Sequence, residues 1–178
     1  MGGAFKRGFR EGFTLVELMV VIAIIGVIFV IAVPNFAAMQ ANARIRAGAY
    51  EVAQDLRQIR ERALSLGRSF KVDAVDQRTY RVTNPDNNSY SYRLGGPTGG
   101  NLKFGVSGNY AGGLPPEANG AVPANGFDFL PSGILTFNGR GGANKGVIYI
   151  TDGRHDYAIG INSLGKVRVY KYGNGSWN

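Results

Sequence analysis

Glu17 is the one charged residue in the 21 residues from Phe13 to Val33, a run otherwise interrupted only by Thr14. A carboxylate inside an apolar layer costs roughly 2.5–3.5 kcal/mol at the middle of a membrane and less towards its edge. Something close by should compensate for it. A cut after Gly12 would place a new amino terminus on Phe13, four residues before Glu17. Within one helix that ammonium group and the carboxylate lie one turn apart on one face. Between neighbouring helices, staggered along their axes, the two could pair directly. A lone buried charge costs about 3–5 kcal/mol, whereas a buried pair is tolerable. Glu17 therefore reads as a register device that selects one axial offset between packed helices. The chemistry expected here is processing at Gly12, a new terminus at Phe13 and assembly through Glu17.

A second constellation lies near the other end of the chain, in Gly165-Lys166-Val167-Arg168-Val169-Tyr170-Lys171-Tyr172. In an extended strand alternate residues share a face. Lys166, Arg168, Tyr170 and Tyr172 would face one way, and Val167 and Val169 the other, towards a core. Lysine and arginine bind phosphates whatever the base sequence, and tyrosines stack on exposed bases. Arg140, Lys145 and Arg154 sit in nearby turns of the sequence and, with Lys171, would extend a DNA-binding patch. The alternative is a solvated edge strand, where lysines discourage aggregation.

Other chemistries find little support. There are no cysteines and one histidine, His155, which leaves no thiolate metal site and no disulfide. The GxSxG, GxxxxGK[ST] and HExxH patterns are absent. Gly139-Arg140-Gly141-Gly142 is glycine-rich but lacks a strand–loop–helix setting. Asp152 and Asp156 are too few for calcium, which wants six or more oxygens. They read as turn residues, and His155 as a surface or turn histidine. The chain is expected not to be an enzyme and to hold no cofactor and no metal.

The elements that must position these residues follow from periodicity. Residues 1–12, MGGAFKRGFREG, form a basic leader: Lys6, Arg7 and Arg10 against Glu11 take +2 of the net +8, leaving +6 on the remainder. Residues 13–35 have about the length needed to span a bilayer as a helix. A conventional secretory signal, cut near Ala41-Asn42-Ala43, is the competing reading, but it leaves Glu17 unexplained. Pro34 should bend the helix by removing a hydrogen bond. Over residues 36–67 the helix becomes amphipathic, with Ile45, Ala49, Val52, Leu56, Ile59, Ala63 and Leu66 at alternating spacings of four and three. Arg44, Arg46, Arg57, Arg60 and Arg62 lie off that stripe and read as a solvated face, with Arg57 able to pair with Glu61. Gly67 is a natural stop.

Residues 68–178 change to short β-branched and aromatic runs ending at Gly, Asn or Asp. Strands are expected at 70–75, 79–82, 90–94, 102–106, 127–130, 134–137, 146–151, 156–161 and 166–172. Residues 95–126 hold ten of the 27 glycines and four of the seven prolines, and read as a long surface loop to which no chemistry is assigned. The fold class is α+β: a long N-terminal helix packed on a β-rich, sandwich-like head.

Gly12-Phe13-Thr14-Leu15-Val16-Glu17, with the basic leader before it and Pro34 after it, resembles the class III signal of type IV prepilins and type II secretion pseudopilins. The resemblance implies cleavage after Gly12 by a prepilin peptidase and N-methylation of Phe13. It also implies inner-membrane lipid as a partner before assembly, other pilins or pseudopilins as partners in a filament, and a head facing the periplasm. Phe129-Leu130-Pro131-Ser132-Gly133, Gly146-Val147-Ile148-Tyr149-Ile150, Tyr157-Ala158-Ile159-Gly160-Ile161 and Gly165-Lys166-Val167-Arg168 resemble the head of the GspH/FimT group of minor pilins and pseudopilins. Lys166 and Arg168 also resemble the Gly-Arg-x-Arg element of the FimT-type pilins linked to DNA uptake, with lysine in place of the first arginine.

Overall fold

The computed structural model describes residues 12–178, apart from the side chains of residues 31–35 and 98. The expected leader up to residue 11 and the side chain of Pro34 lie outside the described residues. Two compact units are distinguished, Met1–Met39 and Gln40–Asn178.

One helix, α1 (Leu15–Leu66, 52 residues), passes through both. It starts two residues later than the Phe13 start expected, because Thr14 is its N-cap: the Thr14 Oγ1 accepts the Glu17 N–H at 3.2 Å. The helix ends in a Schellman motif. Gly67 takes φ +63°, the Arg68 N–H reaches the Ala63 carbonyl at 3.2 Å and the Gly67 N–H reaches that of Leu64 at 3.3 Å. In the first unit the apolar side chains from Leu15 to Val30 that are resolved as large hydrophobics are exposed, Leu18 at 59% and Phe29 at 61% among them. Among the described residues no helical stretch is long and apolar enough to cross a membrane; the described side chains of this stretch stop at Val30.

The second unit is the head. It contains β1 (Phe70–Ala74), β2 (Thr79–Thr83), β3 (Ser89–Arg93), β4 (Lys103–Phe104), β5 (Phe127–Phe129), β6 (Leu135–Phe137), β7 (Gly146–Thr151), β8 (Asp156–Ile161), β9 (Val167–Gly173) and β10 (Ser176–Trp177). They form two antiparallel sheets. One has the order β3-β2-β1-β6; the other runs β10-β9-β8-β7-β4, with β5 also paired to β7. Strands β4 and β5 share one edge of β7, β4 against Ile150 and Thr151 and β5 against Gly146 to Ile148. The α+β, sandwich-like head expected from the sequence is what forms.

The core lies among the helix and both sheets. Ile45, Ala49, Val52, Leu56, Ile59 and Ala63 are buried with Val72, Leu135, Phe137, Ile148, Ile150 and Ile159. Ala53 joins them although it lies off the expected stripe. Leu66 does not: it is 60% exposed, being the last helical residue, after which the chain turns away at Gly67.

The segment 95–126 departs most from expectation. It contains a 3-10 turn at Gly96–Thr98 and strand β4, which is two residues long where 102–106 was expected. Beyond β4 it crosses the outer face of the six-stranded sheet as a strap. Val106, Ala118 and Val122 pack there on buried Val147, Tyr149 and Ala158. Strands β7 and β8 are consequently buried along their whole length. Ser107 fixes the strap at one end: its N–H and its hydroxyl each donate to a different oxygen of the buried Asp156 carboxylate, both at 2.7 Å. Asp156 is thus a strap anchor rather than a turn residue. Asn119 fixes the other end, its N–H donating to Asp128 Oδ2 at 2.7 Å.

Candidate functional site

At the amino-terminal site the helix begins with Thr14-Leu15-Val16-Glu17, the order of a capping box. Thr14 satisfies one of the orphan N–H groups of the first turn, and Glu17 sits where the helix dipole favours a negative charge. Phe13 is 83% exposed and precedes the cap. A cut after Gly12 would leave a two-residue lead into a helix whose first turn is already ordered by Thr14. The sequence carries this signal in the spacing of Thr14 and Glu17, three apart.

The basic constellation near the C-terminus is only partly brought together. Strand alternation is as expected: Val167 is buried, Val169 packs against the core, and Arg168 is exposed. Lys166 lies one residue before β9, exposed, with its N–H donating to Asn162 Oδ1 at 2.9 Å. The antiparallel register places the turn before β7 beside the turn after β8, since Gly146 faces Ile161. Arg140, Lys145, Lys166 and Arg168 therefore share one end of the head, and all four are exposed.

Arg154 does not join them. It lies in the turn between Thr151 and Asp156, at the opposite end of the same hairpin. Lys171, paired with Tyr157, also lies towards that opposite end. Sequence proximity of turns misled here because consecutive hairpin turns point to alternate ends of a sheet.

The tyrosines are not free to stack on bases either. The strap meets them. The Tyr170 hydroxyl donates to Glu117 Oε1 at 3.1 Å. The Tyr172 hydroxyl donates to the Gly112 carbonyl at 2.9 Å and accepts the Ala111 N–H at 3.2 Å. Tyr172 also packs on Trp177 and Tyr110, with ring centroids 5.0 and 5.1 Å apart. Glu117, nearly buried, lies 3.9 Å from the Arg168 guanidinium. The strap thus supplies a counter-charge to the very strand expected to be open.

Two helix arginines reach this end as well, which their position off the apolar stripe did not reveal. Arg60 Nε donates to the Gly141 carbonyl at 2.8 Å, and one of its terminal nitrogens donates to that of Leu164 at 3.2 Å. Arg57 donates to the Val167 carbonyl at 3.4 Å instead of pairing with Glu61. Both tie the helix to the turns that carry the exposed cations.

Elsewhere in the head the Tyr80 hydroxyl donates to the Asp55 carboxylate, and its ring stacks on Tyr92 at 5.5 Å. Burial, then the Asp55 bond, push the Tyr80 hydroxyl pKa far up. Burial and the neighbouring Asp55 charge raise that of Glu51. His155 is a turn histidine, half-buried, its Nδ1 3.0 Å from Asp152 Oδ2. Asp152 also accepts the Arg154 and His155 N–H groups at 2.8 and 2.7 Å. Among the described residues no cluster of His, Cys, Asp and Glu is arranged to hold a metal.

Residues 7–33 match the family model described as the prokaryotic N-terminal methylation motif. The type IV major pilin protein PilA of Myxococcus xanthus is 58% identical over 35 residues, which cover 20% of this chain and 16% of that protein. The match spans about a sixth of that relative's length. The minor pilin FimU of Pseudomonas aeruginosa is similar at 11% identity, covering 77% of this chain and 94% of that one, with a TM-score of 0.47. The minor pseudopilin EpsH of the Vibrio cholerae type 2 secretion system is similar at 16% identity, covering 71% and 94%, with a TM-score of 0.41. The N-terminal segment of the chain is type IV pilin-like and carries the methylation motif.

Proposed function

We propose that the chain is a minor pilin or pseudopilin: a structural filament subunit, not an enzyme, anchored in the inner membrane by residues 13–35 before it is assembled. The observation that carries this reading is the methylation motif over residues 7–33, whose part from Leu15 onwards lies on a helix with its large apolar side chains exposed up to Val30. A prepilin peptidase cuts between Gly12 and Phe13 and methylates the new amine, which keeps its positive charge. That amine then pairs with Glu17 of a neighbouring subunit, and the exposed apolar helix passes from lipid to the helices of other pilins. The head stands in the periplasm or on the filament surface.

Glu17→Gln tests the assembly role. A neutral residue is cheaper in lipid, so membrane insertion should persist or improve while incorporation into filaments falls. Equal incorporation of the neutral variant and the parent, measured by quantifying the subunit in sheared filaments, removes the register role of Glu17.

A second reading adds DNA as a partner, through the end of the head that carries Arg140, Lys145, Lys166 and Arg168. It is favoured by the exposure of all four, and it uses phosphate contacts without tyrosine stacking. Duplex binding should weaken steeply with salt, and Lys166→Ala or Arg168→Ala should each reduce the salt slope by about one. No binding at low salt leaves the filament role alone.

A further inference from the structure

The end of the head at which its helix begins is built from four segments. Helix residue Gly48 packs against Gly95 and Leu102. The Phe104 N–H donates to the Gln77 carbonyl at 2.7 Å, which brings in the turn between β1 and β2. Strand β4 pairs with the last residues of β7, Lys103 opposite Thr151, which brings in the turn between β7 and β8. Each segment presents an exposed cation here: Arg44 and Arg46 from the helix, Arg78, Lys103 and Arg154. None of the five is ion-paired among the described residues.

The carboxylates at this end already have donors of their own. Asp76 accepts the Arg78 N–H at 2.6 Å, Asp152 accepts the N–H groups of its turn and faces His155, and Asp156 is buried on Ser107. Arg44 meets only the neutral Gln40 side chain, donating to its Oε1 at 2.7 Å, and Arg46 lies over the Tyr50 ring, 5.7 Å from its centroid. Five cations without a carboxylate partner, on four separate segments converging on one end, call for an anionic partner that is extended rather than a pocket ligand. The chain leads from this end, through Gln40, directly back to the apolar residues 13–33.

We propose that Arg44, Arg46, Arg78, Lys103 and Arg154 form a cationic collar that rests on anionic phospholipid headgroups while the subunit waits in the membrane. The proposal rests on the membrane anchoring proposed above. Juxtamembrane basic residues are attracted to an anionic lipid surface, and the attraction fades within a Debye length. The collar would hold the head against the bilayer, and leaving the bilayer for a filament would release it.

The chain's single tryptophan, Trp177, serves as a fluorescence donor. The full chain is reconstituted into phosphatidylcholine vesicles with and without phosphatidylglycerol, each holding a little headgroup-labelled dansyl lipid. Flotation should occur with both compositions. Energy transfer from Trp177 should be roughly twofold stronger with phosphatidylglycerol, and should fall to the phosphatidylcholine level in ~0.5 M salt. The double reversal Lys103→Glu with Arg154→Glu should abolish the difference. Arg62→Glu with Lys71→Glu, both exposed and outside the collar and the second basic end, should keep it and controls for the folding of a charge-reversed chain.

Inorganic phosphate and chloride at equal ionic strength should act alike; selective loss in phosphate would mean a discrete phosphate site and overturn the lipid assignment. Transfer that is equal in both vesicles, or unmoved by the collar reversal, also overturns it. Failure to float with either vesicle removes the anchoring reading itself, and the collar with it.

Discussion

Residues 15–30 and residues 45–63 belong to one helix and are both rich in aliphatic side chains, yet they use them in opposite ways. The first stretch is apolar on every face and leaves its large side chains exposed, Ile22 at 60% and Val27 at 64%. The second is apolar on one stripe and buries it almost completely, Ile45 and Leu56 at 0%. Hydrophobicity alone does not decide burial within the chain; the periodicity of the pattern does. A stripe can be satisfied by the two sheets of the same molecule. An all-round apolar surface cannot, and must find lipid or other helices. The difference separates the part of the chain that makes a head from the part to which assembly is assigned under the proposed function.

Substitution can break that comparison. Leu56→Ala removes a fully buried side chain and should cost the head about 2–5 kcal/mol, read as a lower midpoint in chemical denaturation of the full chain in detergent. Ile24→Ala in the first stretch should leave that midpoint where it is. Equal effects would mean that residues 15–30 are held by the head after all.

A smaller effect sharpens the account of the head. Tyr80→Phe leaves the Asp55 carboxylate without its donor and should cost about 1–3 kcal/mol, measured in the same way. Gly160→Ala acts on the strap. A methyl there would stand 2.4 Å from Glu117 Oε2 and 2.9 Å from a ring carbon of Tyr170. Glu117 must move, so amide exchange should rise along residues 106–122 while the helix stripe stays protected. Unchanged exchange in the strap would show that Glu117 does not pin it.

The smallest effect concerns acid. Burial raises the pKa of Asp152, but the His155 side chain and the N–H groups of His155 and Arg154 outweigh burial and hold the carboxyl below the usual range. A depressed folded pKa contributes stability above the unfolded value of about 3.8, lost as pH falls through the lower folded value. Asp152→Asn should therefore flatten the stability loss below about pH 4. An unaltered acid limb would remove this turn from the acid response.

Much of the fold was legible because its signals are local. The helix stripe, the Gly67 stop, and strands β7 and β8 with their bounds follow from period and turn residues. What was not legible depends on contacts between distant segments. Leu66 fits the stripe but runs out of sheet, and β10 is too short to carry a pattern of its own. The strap is glycine-rich and carries no strand or helix period, and its anchors, Ser107, Glu117 and Asn119, find partners 49, 53 and 9 residues away. At the basic end, alternation along β9 was readable, but the strap that occupies Tyr170 and Tyr172 was not, nor the placement of Arg154 at the other end. At the amino terminus residue types marked Gly12, Phe13 and Glu17 as expected sites, and the Thr14 cap, written in the Thr14–Glu17 spacing, is seen in its bond to the Glu17 N–H.

Under the proposed function residues 13 onward, and not a shorter chain, form the assembled subunit. Intact mass of the protein taken from the membrane or filament fraction measures it directly. The account predicts a chain beginning at Phe13 and heavier by one methyl group. A mature start at or beyond Ala41 would mean a conventional secretory signal, and would contradict the account.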